Sequence, residues 1–523
     1  MNILLATLIV LLYVGVTVYL GWLGYKRTKT ASDYLIGGRQ VHPFLMVMGY
    51  GATFISTSAI VGFGGVAGLF GMGLLWLSVL NIFVGIFIAF TVFGRRTRAL
   101  GHHVGAHTFP ELLGKRFKSR AIQVISGTII FLAMPLYAAA VMIGVARFVE
   151  QTFPISYGVG LLIFAFLIAF YVFWGGLKGV MYTDGFQGSI MLVGMIFLIV
   201  LTYAKLGGIV PAHKALTALV SELPSKLAAA GHNGWTSMPA FGSKYWWILV
   251  STIVMGVGIG VLAQPQLAVR YMTVSSGKEL NRAMGMGGIF LLFTVAAIFV
   301  VGSLSNLYFY QTSGKIAMAM VVDPATGKPN IDKIIPLYIN SAMPIWFTYI
   351  FLLILLSAGM STLSSLFHTI GTSFGRDIVQ KFIKRDVRHT VSITRIGIML
   401  AFILTVVFAY KLPGSIIAIA TAIFFGLCAA CFLPIYCGAI FSKRMNRKVA
   451  LSAMLGGFLT WGFWILFVHI KESSALGVCQ FVFDKPSLAV KSVVAFVDPI
   501  VVALPVSSVI AVVGTLFCKK VDN

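Results

Sequence analysis

Long uncharged apolar runs recur from one end of the chain to the other, and nothing else in the sequence restricts its fold as much. They lie near 2–22, 44–70, 74–94, 122–146, 156–174, 180–204, 246–269, 286–311, 343–375, 392–410, 414–441, 449–469 and 494–517. A helix needs about 20 such residues to cross the roughly 30 Å hydrocarbon layer of a bilayer. Inside that layer every backbone polar group must find its partner within the protein, which favours helices. The pattern predicts an all-α integral membrane protein with about 13 transmembrane helices. Only 10% of the 523 residues are charged and 59% are apolar, against roughly 25% and 45–50% in soluble chains. A soluble enzyme is excluded.

The charge pattern orients the spans. Residues 2–22 lack the positive charge that precedes the apolar core of a signal peptide, and Lys26, Arg27 and Lys29 follow it instead. They read as a retained first helix with its N-terminus outside, which puts the C-terminus inside. On that topology the cytoplasmic connections and helix ends hold 27 of the 39 Lys and Arg residues, and the outside segments hold the other 12, as the positive-inside rule requires. The net charge of +25 is thus accounted for by topology and by anionic lipid headgroups, with no call for nucleic acid. The partners expected are a lipid bilayer, a small solute and its coupling ion. No obligate protein partner is evident. Five cysteines make no disulfide framework, and Cys428 and Cys431 lie within an apolar span without a second pair for a metal.

Two runs are poor as continuous helices. One holds Gly49, Gly51, Gly62, Gly64, Gly65 and Gly68, with Thr53, Ser56, Thr57 and Ser58 between them; the other holds Gly256, Gly258 and Gly260 before Gln264-Pro265-Gln266. Glycine lowers the cost of bending and proline removes a helical hydrogen bond. Irregular backbone at membrane depth persists only where it is buried or lines a cavity. The two runs are five apart, so they cross in opposite directions. Broken helices at matching places in two inverted halves point to a secondary transporter with a site at the midplane. The chain then divides into an extra helix and loop (1–43), a first inverted repeat of five helices (44–204), an outside loop (205–245), a second repeat of five (246–445) and two further helices (446–523). A second outside loop, 312–342, carries Pro336 and Tyr338 and is expected to fold back onto the mouth.

The ninth run carries a row of hydroxyls. Ala358, Ser361, Thr362 and Ser365 follow the i, i+3, i+4, i+7 spacing of one helix face, with Ser364 at its edge. A hard cation such as sodium (Na+) takes several oxygen ligands, which hydroxyls and the carbonyls of a broken helix supply. Hydroxyls bonded to their own helix are the alternative. Asp184, near the start of the sixth run, is an ionisable group entering the membrane and a functional candidate by default; an acid favoured by a helix N-terminus is the alternative there.

These residues resemble the sodium:solute symporter family over about residues 5–445. The motifs are Ala52-Thr53-Phe54-Ile55-Ser56, Gly175-Gly176-Leu177 through Thr183-Asp184, Gln264-Pro265 leading to Arg270, and Ala358-Gly359-Met360-Ser361-Thr362. The resemblance implies a five-plus-five inverted-repeat core and a sodium site made of the Ala52, Ile55 and Ala358 carbonyls with the Ser361 and Thr362 hydroxyls. It also implies a second sodium site, present in some members, at Asp184, Ser361, Ser364 and Ser365. Phe54 departs from the acid that proline transporters carry at this position. Glycine, valine and leucine around 256–262 replace the polar ligands of sugar transporters. Gln264-Pro265-Gln266 is more similar to the branch that handles proline, pantothenate and short monocarboxylates.

The solute is expected between the two broken helices, against Ser56, Thr57, Trp76, Ser78, Asn81, Gln264 and Thr421. A wall of that kind is small, moderately polar and lacks a carboxylate. It suits a small organic anion, with an amino acid such as proline as the alternative. The expected setting is multi-pass in the plasma membrane, the inner membrane in a Gram-negative bacterium. A proton-coupled carrier using Asp184 or His368 and a non-transporting sensor on the same fold are the competing readings. His368 reads as a hydrogen-bonded interface residue.

Overall fold

The computed structural model describes residues 2–324, 327–383, 390–412 and 415–518. Ten of its helices are long and apolar enough to cross a membrane, and three shorter apolar helices, Pro43–Phe54, Tyr157–Ile168 and Ile500–Leu516, lie among them. Burial sorts the long ones. The most apolar stretches of Ile345–Phe382 and Ile417–Phe441 are each 89% buried within the protein, whereas that of Ile3–Arg27 is 17% buried. The first two are therefore core elements and the last faces lipid along most of its length, with Leu4, Leu12 and Tyr19 exposed.

Both helices expected to break do so. Pro43–Phe54 ends where Ile55 leaves helical geometry (φ −94°, ψ 88°), and the chain resumes as a wide turn over Ser58–Phe63 and then Gly64–Phe70. The other runs through Gly256–Gly260 and Val261–Ala263 to an extended Gln264 (φ −70°, ψ 117°), and restarts at Pro265–Tyr271. Proline suits the first position of the restarted helix, because the N–H it lacks would have no partner there. Gly260 is required by packing: a Cβ there would stand 2.5 Å from the Phe425 carbonyl oxygen.

A further break interrupts Tyr157–Lys205 at Gly176, whose φ of 57° lies in the left-handed region. Only glycine adopts that conformation without strain, and a Cβ would also press within 2.6 Å of the Tyr34 ring. Gly176 thus fixes the entry of the segment that carries Asp184. Segment 331–342 folds back against the first broken helix, setting Ile335 and Ile334 against Gly64 and Gly68, with Tyr338 fully buried.

The hydroxyl-bearing helix is stapled at one end. Arg376 forms a two-pronged ion pair with Glu111 (Nε–Oε2 2.8 Å, Nη2–Oε1 3.0 Å), and Asp377 accepts hydrogen bonds from Thr108 (2.8 Å) and Gln123 (2.7 Å). Lys115 adds a second cation 2.8 Å from Glu111. Burial alone would raise the Glu111 carboxyl, but hydrogen bonds from His107 and Arg376 and the adjoining positive charges outweigh it and hold it well below the usual carboxylate range.

Candidate functional site

Where Pro43–Phe54 ends, its last carbonyls lose the amides that would continue the ladder. Side chains from the helix Ile345–Thr372 meet them. The Ser361 hydroxyl donates to the Ala52 carbonyl (2.9 Å) and lies 3.3 Å from the Ala358 carbonyl; Thr362 reaches the Ala52 and Thr53 carbonyls (3.3 and 3.2 Å). All these residues are buried. The helix break, with Ile55 as its first non-helical residue, thus brings together oxygens of Ala52, Ala358, Ser361 and Thr362. The group is neutral and oxygen-only, which suits a hard monovalent cation.

One turn further along the same helix the chemistry changes. Ser365 Oγ is 2.9 Å from Thr53 Oγ1, and both accept from Arg270 Nη2 (2.5 Å each). The same Nη2 donates to Asp184 Oδ2 at 2.6 Å, and Nη1 lies 2.8 Å from the Met181 sulfur. Arg270 and Asp184 are 1% and 0% exposed, so this is a charge pair withdrawn from water. Desolvation makes such a pair costly to build and costlier to break. Among the described residues, Asp184 Oδ1 and Arg270 Nε have no hydrogen-bond partner. Ser364 turns back to the Ser361 carbonyl (2.9 Å) and does not reach the pair. Asp184 and Ser365 are therefore brought together, but around a guanidinium.

A cavity of about 20 Å³ lies between the two broken helices, lined by Ser56, Asn81, Tyr137 and Thr421 among apolar walls that include Phe54, Phe63, Val257, Phe299 and Phe425. That volume holds about one water, so the walls nearly meet. Of the expected wall residues, Ser56, Asn81 and Thr421 line it. Thr57 instead donates to the Val141 carbonyl, and Gln264 is occupied by the Gly260 carbonyl and the Gln266 amide (3.2 Å each). Ser78 is buried away from the lining, and Trp76 is 55% exposed. Trp76 sits on the outer face of Leu75–Ile82, where an indole finds an apolar surface.

Residues 34–457 match the family model described as the sodium:solute symporter family. The chain belongs to that family. Within the sodium:solute symporters it is 28% identical to a sodium/pantothenate symporter of Haemophilus influenzae, over 85% of this chain and 86% of that one. It is 26% identical to a sodium/proline symporter of Staphylococcus aureus, over 89% and 87%. In three dimensions it is similar to a Na+-coupled sialic acid symporter solved in a substrate-bound outward-open state, with a TM-score of 0.74, 20% identity and 99% of each chain covered. That likeness shows the fold.

Two residues that the structure places at these sites were given no role from the sequence. Tyr137 comes from the middle of Arg120–Thr152, two residues after Pro135, and gave no signal beyond that neighbouring proline. Arg270 did give one: it is a charged residue in the short helix that restarts after the break at Gln264, and a buried acid elsewhere in the membrane demands a partner. His368 sits in an interface, its Nε2 3.2 Å from the Leu35 carbonyl and its ring 5.7 Å from that of Tyr34. Cys428 and Cys431 are free and buried.

Proposed function

We propose that this chain is a sodium-coupled symporter of the plasma membrane that imports a small organic solute by alternating access. The observation that carries the reading is the convergence of the Ser361 and Thr362 hydroxyls on the Ala52 and Thr53 carbonyls at a helix break. Sodium would take the Ala52, Ile55 and Ala358 carbonyls and the two hydroxyls as ligands. Each hydroxyl then turns its proton away and offers its oxygen, so one ion replaces several internal hydrogen bonds. Because the ligands sit on two separate helices, the ion ties Pro43–Phe54 to Ile345–Thr372. A solute wedged beside the same break gains from that tie, and by linkage each ligand raises the affinity of the other by the same factor.

The second sodium position would use Asp184 and Ser365, with Ser361 and Ser364 adjoining. Here Arg270 acts as a resident counter-cation, and an entering ion must exchange with the guanidinium. The solute is a small organic anion, a monocarboxylate or a pantothenate-like acid. Its apolar part packs on Phe54, Phe63 and Phe299, and its polar group meets Ser56, Asn81, Tyr137 and Thr421. The lining is neutral, so a carboxylate would be held by hydroxyl and amide donors. The sodium/pantothenate relative supports this class. The sodium/proline relative keeps an amino acid as the second reading, against which stands the phenyl ring of Phe54.

The test is thermal stabilisation of the detergent-purified protein by a panel of small carboxylates, amino acids and sugars, each in sodium and in potassium chloride. A ligand that binds only the folded state raises the melting temperature. A shift from a carboxylate that appears only in sodium is the expected result. Equal shifts in both salts would discard sodium coupling in favour of a proton-linked or uncoupled carrier.

A further inference from the structure

A second, larger cavity of about 360 Å³ opens at one end of the helix bundle, between the end of Ile3–Arg27 and the segment after the Gly176 kink. Arg27, Lys178, Gln40 and His42 line it with Asp33, and Met181 and Tyr182 form its floor. The charge balance is positive. Asp33 is spent on capping its own turn, accepting from the Lys29 and Thr30 amides (3.1 Å each), and on Lys178 at 2.8 Å. Arg27 donates from Nη1 to the Tyr182 hydroxyl (2.9 Å) and lies 5.6 Å from that ring's centre, while its backbone carbonyl accepts from Lys178 Nζ (3.1 Å); among the described residues its guanidinium has no carboxylate partner. The cavity therefore presents an unspent guanidinium beside a lysine, a pair of donors that matches a phosphate group.

Its depth points to the source of that phosphate. Tyr19, Trp22 and Tyr25 on the same turns of the first helix are 59%, 51% and 50% exposed, and Lys26 lies 5.3 Å from the Trp22 ring centre. Aromatic rings backed by cations on a lipid-facing helix mark the headgroup level. We propose that this cavity binds the headgroup of an anionic phospholipid, with Arg27 and Lys178 on the phosphate and Gln40 and His42 on the polar group beyond it. The site also reaches the centre of the protein: Met181, in its floor, contacts Arg270, the partner of Asp184.

The experiment is thermal melting of the delipidated full-length protein with phosphatidylglycerol, phosphatidylcholine, glycerol 1-phosphate or inorganic phosphate. Phosphatidylglycerol is expected to raise the melting temperature where phosphatidylcholine does not. Arg27→Gln removes the unpaired cation. Gln40→Glu adds a negative charge at an exposed position and leaves the fold intact. Each variant should need about fivefold more phosphatidylglycerol for the same shift, the effect of one charge near a headgroup. Lys178→Gln is avoided because it would also release Asp33. Identical phosphatidylglycerol titrations in wild type and both variants would overturn the site. Stabilisation by glycerol 1-phosphate or inorganic phosphate at equal concentration would overturn the lipid assignment in favour of a soluble phosphate.

Discussion

Ser361 and Ser365 stand one turn apart on one helix and belong to opposite kinds of polar site. Around Ser361 and Thr362 every group is neutral, and each hydroxyl is held by a backbone carbonyl freed by a helix break. Around Ser365 the dominant groups are a full positive and a full negative charge, both stripped of water. The neutral cluster can lose its internal hydrogen bonds to an ion at modest cost, since such bonds contribute about 1 kcal/mol each. The charged cluster cannot lose a partner without leaving a bare charge in a water-poor interior. The difference teaches that oxygens at helical spacing do not define an ion site until the surrounding charges are known.

Breaking the charged cluster gives the largest effect. Arg270→Gln leaves Asp184 buried and unpaired and should cost about 3–5 kcal/mol of stability, read as a marked fall in melting temperature. Arg270→Gln combined with Asp184→Asn should recover most of it, and a double variant no better than the single would mean the pair is not coupled. Asp184→Asn alone strands Arg270 and should also melt lower; in the protein that stays folded it should lower sodium coupling in proteoliposome uptake more than solute affinity, because the proposed second ion position loses its acid.

The neutral cluster is sharpened by Ser361→Ala and Thr362→Ala. Each removes one oxygen of the ion's set, worth about 1.5–3 kcal/mol for a bond to a charge, so the sodium concentration for half-maximal uptake should rise roughly tenfold or more. Unchanged sodium dependence in both would remove the ion from this position. A smaller effect is expected at the cavity wall. Tyr137→Phe should raise the solute KM a few-fold with little change in sodium dependence, which separates solute contacts from ion contacts.

The staple at the far end of the same helix gives the effect that depends on pH. The Glu111 carboxyl is held low in the folded protein, so its contribution is present above its unfolded pKa of about 4.3 and is lost as pH falls below it. Melting temperature should fall as the solution is acidified through this range. Glu111→Gln should melt lower at neutral pH and show less of that acid-dependent fall.

Much of this organisation was legible before any coordinates. The apolar runs located the helices, and glycine and proline at matched places located both breaks. The spacing of Ala358, Ser361 and Thr362 put their oxygens on one face, where Ala52 also arrives. The solute wall was read less well. Thr57 and Trp76 follow irregular turns, a break at Ile55–Ser56 and a tight turn over Gly71–Leu74. Each extra or missing residue per turn rotates what comes next by roughly 100°, so a residue predicted inward can emerge outward. Tyr137 enters from a helix with regular spacing on all sides, and only packing selects it. The Arg270–Asp184 pair joins residues 86 positions apart, a distance over which periodicity carries no information.

The narrow central cavity has a consequence for how any solute gains entry. With room for about one water, the space among Phe54, Phe299 and Phe425 must widen before a solute of several heavy atoms can enter, and widening it means separating packed aromatic rings.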